Sequence, residues 1–130
     1  MADIPDTYRD LVERPIFASL GTVRPDGTVQ VNPMWFGFDG ENLRFTHTTK
    51  RAKFRNLQLN PSMSLLIVDP DDSGRYLELR GQLAEVVPDP EGAYYVELAH
   101  RYDDAEEQQP PPDKADRVVL VMRIDRALGY

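Results

Sequence analysis

Tight turns separate the β-rich segments of this chain and leave it few possible folds. Pro25-Asp26-Gly27 follows the apolar stretch 16–23, and Asp39-Gly40-Glu41-Asn42 precedes the stretch 43–47. Proline fixes φ and glycine accepts a positive φ, so the chain can reverse its direction at each of these turns. Strands joined by such short connections pair antiparallel. We therefore predict that the first three strands form an antiparallel meander.

The remaining segments extend this pattern over the whole chain. Strands are predicted at residues 16–23, 28–38, 43–47, 63–68, 75–87 and 117–124. Short helices are predicted before Pro15, over residues 50–60 and over residues 90–102. The prediction is a mainly β fold: a six-stranded antiparallel sheet that closes into a small barrel, with about three short helices. A length of 130 residues suits one domain spanning residues 1–130.

Charge and composition argue against several classes of function. The 15 Lys and Arg residues against 22 Asp and Glu residues give a net charge of −7, whereas binding nucleic acid requires a basic surface. The absence of cysteine excludes disulfides, thiolate metal sites and a cysteine nucleophile. The longest apolar run, residues 118–122, is too short to span a bilayer, and residues 1–6 lack the features of a signal peptide. We therefore expect a cytoplasmic protein that binds neither nucleic acid nor a membrane.

One stretch of the sequence departs from this acidic background. Residues 42–68 contain no Asp or Glu, and the basic residues within them are Arg44, Lys50, Arg51, Lys53 and Arg55. Basic side chains at the start of a predicted helix oppose its dipole, and a bound anion would relieve the repulsion. The stretch therefore predicts a phosphate site, with the hydroxyl groups of nearby threonines as further donors. The alternative interpretation is a solvated helix face.

A second pattern indicates a ring-binding surface. Gln30, Asn32 and Met34 share one face of a predicted strand, and Trp35 and Phe36 follow. Two amides and a thioether are poor core material. They suit a flat heteroaromatic ring, because amides can bond its carbonyls and sulfur can contact its π-face. The alternative is that this face is exposed to solvent.

Motifs for other chemistries are missing from the sequence. It contains no glycine pattern for a dinucleotide, no P-loop and no serine in a nucleophile elbow. Neither His47 nor His100 has a ligand neighbour at metal spacing. We therefore predict no metal site, and motifs identify no catalytic residue.

Most of the chain resembles one known family. The segments that carry the resemblance are residues 17–27, 31–36, 39–40, 77–81 and 117–129. They are similar to the pyridoxamine 5'-phosphate oxidase-like split β-barrel superfamily, and the resemblance spans residues 14–129. The basic segment Arg51-Ala52-Lys53-Phe54-Arg55-Asn56-Leu57, followed by Asn60-Pro61, closely resembles the branch that depends on coenzyme F-420, a deazaflavin.

The resemblance implies a homodimer of FMN-binding-like split barrels, with the cofactor in a groove at the subunit interface. It also implies coenzyme F-420, an 8-hydroxy-5-deazaflavin with a phospholactyl-oligoglutamate tail, as the hydride carrier. By this resemblance Arg51 and Lys53 hold the tail phosphate, with Thr48 and Arg55 as further candidates. The residues implied to lie along the deazaflavin ring are Gln30, Asn32, Pro33 and Met34. At position 50 the family often has glycine, and this chain has Lys50.

The implied function is reduction of a conjugated small molecule, by hydride transfer from the reduced deazaflavin to a C=C or C=N bond. Tyr76 and His47 are candidates for the accompanying proton transfer. Residues 106–116 could form a substrate loop or be disordered. Two alternatives stay open: an FMN-dependent oxidoreductase of the pyridoxamine 5'-phosphate oxidase type, and a non-catalytic protein that binds a flavin, haem or tetrapyrrole.

Overall fold

The computed structural model describes residues 3–104 and 108–130, and these residues form one curled antiparallel sheet. Its strands are β1 (Ala18–Val23), β2 (Val29–Met34), β3 (Gly37–Phe38), β4 (Leu43–Thr48), β5 (Ser62–Val68), β6 (Tyr76–Pro88) and β7 (Arg117–Gly129). Their order across the sheet is β2-β1-β5-β6-β7-β4-β3, and every neighbouring pair is antiparallel. The predicted mainly β, antiparallel class is confirmed.

Three helices accompany the sheet, close to where the sequence predicted them. They are α1 (Arg9–Glu13), α2 (Ala52–Leu59) and α3 (Ala93–Arg101). Short 3-10 turns precede α1 at Asp6–Tyr8 and β7 at Lys114–Asp116. Within residues 3–104 and 108–130, none of the helices is long and apolar enough to cross a membrane.

Two hairpins form at the predicted turns. Gly27 and Gly40 have φ values of 88° and 95°, which glycine adopts without a steric penalty. The Gly27 N–H donates to the Arg24 carbonyl at 2.9 Å, and the Asp39 N–H donates to the Asn42 carbonyl at 3.1 Å. The first turn joins β1 to β2, and the second joins β3 to β4.

The predicted strand 28–38 is divided at Trp35 and Phe36, so the sheet has seven strands instead of six. The Phe36 N–H donates to the Tyr102 hydroxyl at 3.1 Å, and Arg101 Nε donates to the Phe36 carbonyl at 3.0 Å. Because these bonds occupy the Phe36 backbone, β2 pairs with β1 while β3 pairs with β4. The predicted meander is therefore wrong: β4 pairs with β7 and is not a neighbour of β2.

The hydrophobic core lies on one face of the sheet, where apolar side chains alternate with polar ones. In β6, Leu77 and Leu79 are fully buried while Arg80 is exposed, as the alternating pattern predicted. Leu11 and Val12 of α1 are also fully buried and belong to the same core. The N-terminal helix therefore covers part of the sheet.

The sheet is open along one side. Its edge strands are β2 and β3, and β3 pairs only with Leu43 and Arg44 of β4. Residues 45–48 of β4 therefore have a strand partner on one side only, in β7. Helix α2 follows and runs from β4 to β5, contacting β1 on its way. We call the opening between β2 and residues 45–48 of β4 the split.

Candidate functional site

The split holds a cavity of about 510 Å³, with walls from β2, β4 and α2. Its lining residues are Gln30, Asn32, Pro33, Met34, His47, Arg51, Ala52 and Lys53. All but His47 and Ala52 are among the binding candidates named from the sequence. The structure therefore brings the predicted ring-binding strand and the predicted phosphate site to one cavity.

The other two candidates, Thr48 and Arg55, do not line this cavity. Thr48 is buried, and its hydroxyl accepts the Lys50 N–H at 3.4 Å, within the loop that precedes α2. Arg55 is exposed on α2. Thr48 is therefore placed to shape the loop, while Arg55 faces solvent.

The amide face of β2 is half-buried against α2, so the solvent-exposed alternative does not hold. Val29 and Val31, on the opposite face, are 60% and 62% exposed. Gln30 Nε2 donates to Asn32 Oδ1 at 3.0 Å, and Gln30 Oε1 accepts from Asn56 Nδ2 at 2.9 Å. Among the described residues the Asn32 amide nitrogen has no partner. Gln30 therefore supports the wall, and Asn32 keeps a donor for a ligand.

Asn56 is a supporting residue that sequence reasoning did not single out. It is buried on α2, and its Nδ2 lies within 3.4 Å of Thr22 Oγ1 as well as near Gln30. One side chain thus ties α2 to both β1 and β2. The signal in the sequence was the pair Asn56-Leu57 at the end of the basic segment that carries the family resemblance.

Lys53 is a buried cation without a counterion. The residue is 5% exposed, and its Nζ lies 3.0 Å from Met34 Sδ, a weak acceptor. No carboxylate of the described residues forms an ion pair with it. Burial, and then the nearby charge of Arg51, lower the pKa of Lys53 from 10.5 to about 8. A buried ammonium group is costly without a partner, so this position favours a bound anion.

The start of α2 adds backbone donors beside these cations. Arg51 is the N-cap, with φ −102° and ψ 156°, and makes no side-chain capping bond. The first turn of α2 contains no acidic residue. N–H groups of a first turn lack partners inside the helix, and together with the helix dipole they attract an anion. The backbone and the side chains therefore favour the same kind of ligand.

His47 projects from β4 into the wall of the cavity. It is 4% exposed, its Nε2 has no hydrogen-bond partner, and no described residue bonds its Nδ1. Burial lowers the pKa of His47 from 6.5 to about 3, and the charges of Lys53, Arg51 and Arg117 act in the same direction. The imidazole is therefore neutral near pH 7.

A second cavity of about 270 Å³ shares a wall with the first. The residues that line both are Pro33, Met34, His47 and Arg51. The residues that line the second cavity alone are Phe17, Trp35, Thr46, Tyr95 and Arg117. We call the first the cationic cavity and the second the aromatic cavity.

The walls of the aromatic cavity are held by ring contacts. Trp35 stacks on Tyr102 at 5.5 Å between centroids and contacts Tyr95 at 5.8 Å. The Arg117 guanidinium lies 4.8 Å from the centre of the Tyr95 ring, and its Nε donates to Asp113 at 3.0 Å. Sequence reasoning did not find this cavity, because its walls come from segments that only the tertiary fold brings together.

Two further sequence predictions concern this region. Tyr76, a candidate proton donor, stacks on Tyr130 at 4.7 Å and lines neither cavity. Of the predicted loop 106–116, residues 106 and 107 lie outside the described residues. Its described part includes Asp113, which holds Arg117 beside the aromatic cavity.

Comparison with known proteins gives a family match and several similar structures. The family model described as pyridoxamine 5'-phosphate oxidase matches residues 4–129. A solved F420 reductase from Mycobacterium smegmatis is 54% identical, with a TM-score of 0.93, covering 96% of this chain and 98% of that chain. No curated protein matches the chain.

Two more distant structures show the fold alone. The conserved hypothetical protein Rv2991 from Mycobacterium tuberculosis is 24% identical, with a TM-score of 0.76, covering 100% of this chain and 88% of that chain. HupZ from Group A Streptococcus is 19% identical, with a TM-score of 0.69, covering 98% of this chain and 94% of that chain.

Proposed function

The chain belongs to the pyridoxamine 5'-phosphate oxidase family, and we propose that it is a reductase that uses reduced coenzyme F420 as its hydride donor. A protein named F420 reductase is 54% identical over nearly the whole of both chains. The observation that carries the proposal is the buried, uncompensated Lys53 beside Arg51 at the start of α2. It calls for an anionic ligand, and the tail of this cofactor contains a phosphate.

Lys53 and Arg51 would hold the tail phosphate. Lys53 then gains the counterion that the fold does not provide, and Arg51 adds positive charge at the exposed rim of the cationic cavity. The free N–H groups at the start of α2 supply further hydrogen bonds. The residues of the cavity therefore fit a ligand with a phosphate at this end.

The β2 residues would lie along the deazaflavin ring. Asn32 has an unpartnered amide nitrogen that can donate to a ring carbonyl, and Gln30 holds Asn32 in position. Met34 Sδ lies 3.0 Å from Lys53 Nζ, at the junction between the ring and phosphate ends of the cavity. Pro33 adds a rigid apolar surface. When bound, coenzyme F420 supplies the two-electron chemistry, so this chain's own task is to bind, orient and shield.

We propose that the protein acts as a homodimer with the cofactor at the subunit interface. The register of β2, β1 and β5 puts Val31, Gly21 and Ser64 side by side on the outer face of the sheet. Val29 and Leu66 extend this face and are 60% and 36% exposed. An exposed, uncharged sheet face next to an open site is typical of a surface that a second subunit covers.

We expect the protein to act in the cytoplasm on a small-molecule substrate, without nucleic acid or membrane.

Side-by-side titration with F420 and FMN tests the proposal. We expect saturable quenching of F420 fluorescence and weaker binding of FMN, and then oxidation of reduced F420 by at least one of a panel of enones, quinones and tetrapyrroles. Preferential binding of FMN would favour the FMN-dependent alternative. Binding of F420 without oxidation of its reduced form by any acceptor would favour a non-catalytic binding protein.

A further inference from the structure

The aromatic cavity differs in chemistry from the cationic cavity beside it. Its own lining combines three rings with Thr46 and Arg117, so its surface is polar as well as aromatic, and Arg117 is already paired with Asp113 at 3.0 Å. The cationic cavity, by contrast, contains the uncompensated Lys53 and the amides of β2. A phosphate is therefore favoured on one side of the shared wall, and a flat, uncharged conjugated molecule on the other.

His47 lies in the wall that the two cavities share, which also contains the charged Arg51. Neither ring nitrogen has a hydrogen-bond partner among the described residues, although the residue is 4% exposed. Nε2 is enclosed by the protein, so Nδ1 is the nitrogen that can meet a ligand in the cavities. Nearly all buried polar groups in folded proteins are hydrogen-bonded, so an orphaned one calls for an explanation. Thr46, which also lines the aromatic cavity, likewise has a buried hydroxyl without a partner among the described residues. Both orphaned groups lie on the end of β4 that lacks a second strand.

Burial, together with the positive charges around it, lowers the pKa of His47 and keeps it a neutral donor. Lys53 and Arg51 face it from α2, and Arg117 faces it from β7. Asp113, in the segment before β7, is the acid that acts in the opposite direction, and it is already bonded to Arg117. A neutral imidazole has one N–H donor, and the partner of the other nitrogen normally selects which nitrogen carries it. Because no described residue bonds His47 and so fixes its tautomer, a bound ligand can determine which nitrogen carries the hydrogen.

We propose that the aromatic cavity receives the electron acceptor and that the imidazole of His47 donates a hydrogen bond to the acceptor's carbonyl oxygen. The inference rests on the proposed function and names the residue that touches the acceptor. The acceptor class is a flat α,β-unsaturated carbonyl compound or quinone.

The reaction balances without an ionised acid from the protein. With the hydride that the reduced carrier would supply, the β-carbon of an enone would gain a hydrogen, the C=C π electrons would move toward the carbonyl oxygen, and that oxygen would become an enolate. The N–H of His47 would stabilise the developing negative charge. Water would then protonate the α-carbon, and the hydroxide that remains would be neutralised by the proton that the carrier loses together with the hydride. The acceptor is reduced by two electrons, and the carrier is oxidised by two.

Two measurements on the wild-type protein test the contact without turnover. Trp35 is the single tryptophan, so tryptophan emission reports on the aromatic cavity. We expect menadione to quench this emission saturably. The protein has two histidines, and exposed His100 can be removed as His100→Gln to assign the nitrogen-15 spectrum of His47. We expect His47 to be neutral at pH 6 in the free protein and to shift to one tautomer only when menadione is added.

Variants of His47 test its role in turnover with the best acceptor of the panel. His47→Leu removes the donor and is expected to lower kcat on the order of 100-fold, as loss of one oxyanion donor does; kcat is measured at saturating F420, because His47 also lines the cationic cavity. His47→Asn retains an amide donor and is expected to recover part of the rate. His100→Gln is the matched control and should behave as wild type. Circular dichroism of each variant checks that the fold is retained.

The possible outcomes separate the two proposals. If F420 binds and an acceptor is reduced, but His47→Leu keeps the wild-type kcat, the assignment of His47 is wrong while the reductase assignment stands. A tautomer selected by F420 alone, with no further change on adding menadione, would place His47 against the carrier and overturn the inference. An imidazolium signal at pH 6 would overturn it as well. If no acceptor is reduced, the proposed function fails, and this inference fails with it.

Discussion

Removing the two cations of the cationic cavity is expected to abolish tight binding of F420. The variants are Lys53→Met, which keeps the length of a buried side chain, and Arg51→Ala, which removes an exposed one. We expect both single variants to bind more weakly than wild type and the double variant most weakly. We also expect the two single effects to differ in size, because the two cations differ in exposure.

The magnitude follows from burial. Lys53 is 5% exposed, so its bond to a phosphate is a charge-assisted contact in a desolvated site, contributing about 1.5–3 kcal/mol. Arg51 is exposed and screened by solvent, so its contribution is about 0.2–1 kcal/mol. Together they amount to about 2–4 kcal/mol, or a rise of about 30- to 700-fold in Kd. Most of that rise belongs to Lys53.

Fluorescence titration of F420 at low and high salt measures both the size and the origin of the effect. The share of Arg51 should shrink as salt increases, whereas the share of Lys53 should persist, because salt screens exposed charges more than buried ones. Arg9→Ala with Arg126→Ala removes the same charge outside the cavity and is the control. A double variant that binds F420 as tightly as wild type, or no more weakly than the control, would refute the assignment of the phosphate site.

Four more predictions concern stability. Lys53→Met should raise the free energy of unfolding of the ligand-free protein by about 1–3 kcal/mol in a urea titration, because it removes a buried, unpaired ammonium group. The pKa of Lys53 is lowered from 10.5 to about 8 in the folded protein, so between these pH values the unfolded chain binds the proton more tightly. The free energy of unfolding of the wild type should therefore rise from pH 8 to 10.5, and this rise should be absent in Lys53→Met. The pKa of His47 is lowered from 6.5 to about 3 in the folded protein, so between these pH values the unfolded chain binds the proton more tightly. The free energy of unfolding should therefore fall as the pH drops from 6.5 to 3, and it should fall less steeply in His47→Asn than in His100→Gln. Asn56→Leu should cost about 1–3 kcal/mol of unfolding free energy, measured in urea, because Gln30 Oε1 loses its buried donor.

The features that could be predicted from the sequence are those that depend on neighbouring residues. The turn at Pro25-Asp26-Gly27 is encoded by local backbone preferences, and so are the hairpin it forms and the alternation along β6. The cationic character of the α2 start was visible because acids are missing from a continuous stretch of the chain. Net local charge needs no knowledge of the fold, so the phosphate prediction could be made before any geometry was known.

The features that could not be predicted depend on contacts between distant segments. The division of strand 28–38 results from the Tyr102 hydroxyl, 66 residues beyond the Phe36 N–H that it accepts. The pairing of β4 with β7 likewise joins the middle of the chain to its end. Burial of Lys53 was also hidden, since nothing in a run of basic residues tells which one turns inward. The aromatic cavity follows from these long-range contacts, and local patterns therefore did not reveal it.

The orphaned polar groups of the fold are concentrated at the split, and this concentration links stability to function. Among the described residues, the buried side-chain atoms without a hydrogen-bond partner are Thr46 Oγ1 and His47 Nε2, and the nearby Lys53 is buried without a counterion. Elsewhere, buried charge is compensated: the buried Asp69, for example, pairs with both Arg75 and Arg14. A fold that satisfies its polar groups in one place and leaves them unsatisfied in another is typical of a binding site, where the ligand supplies the missing partners. Filling the cationic cavity should therefore stabilise the folded protein, and the relief of the unpaired cation is part of the ligand's affinity.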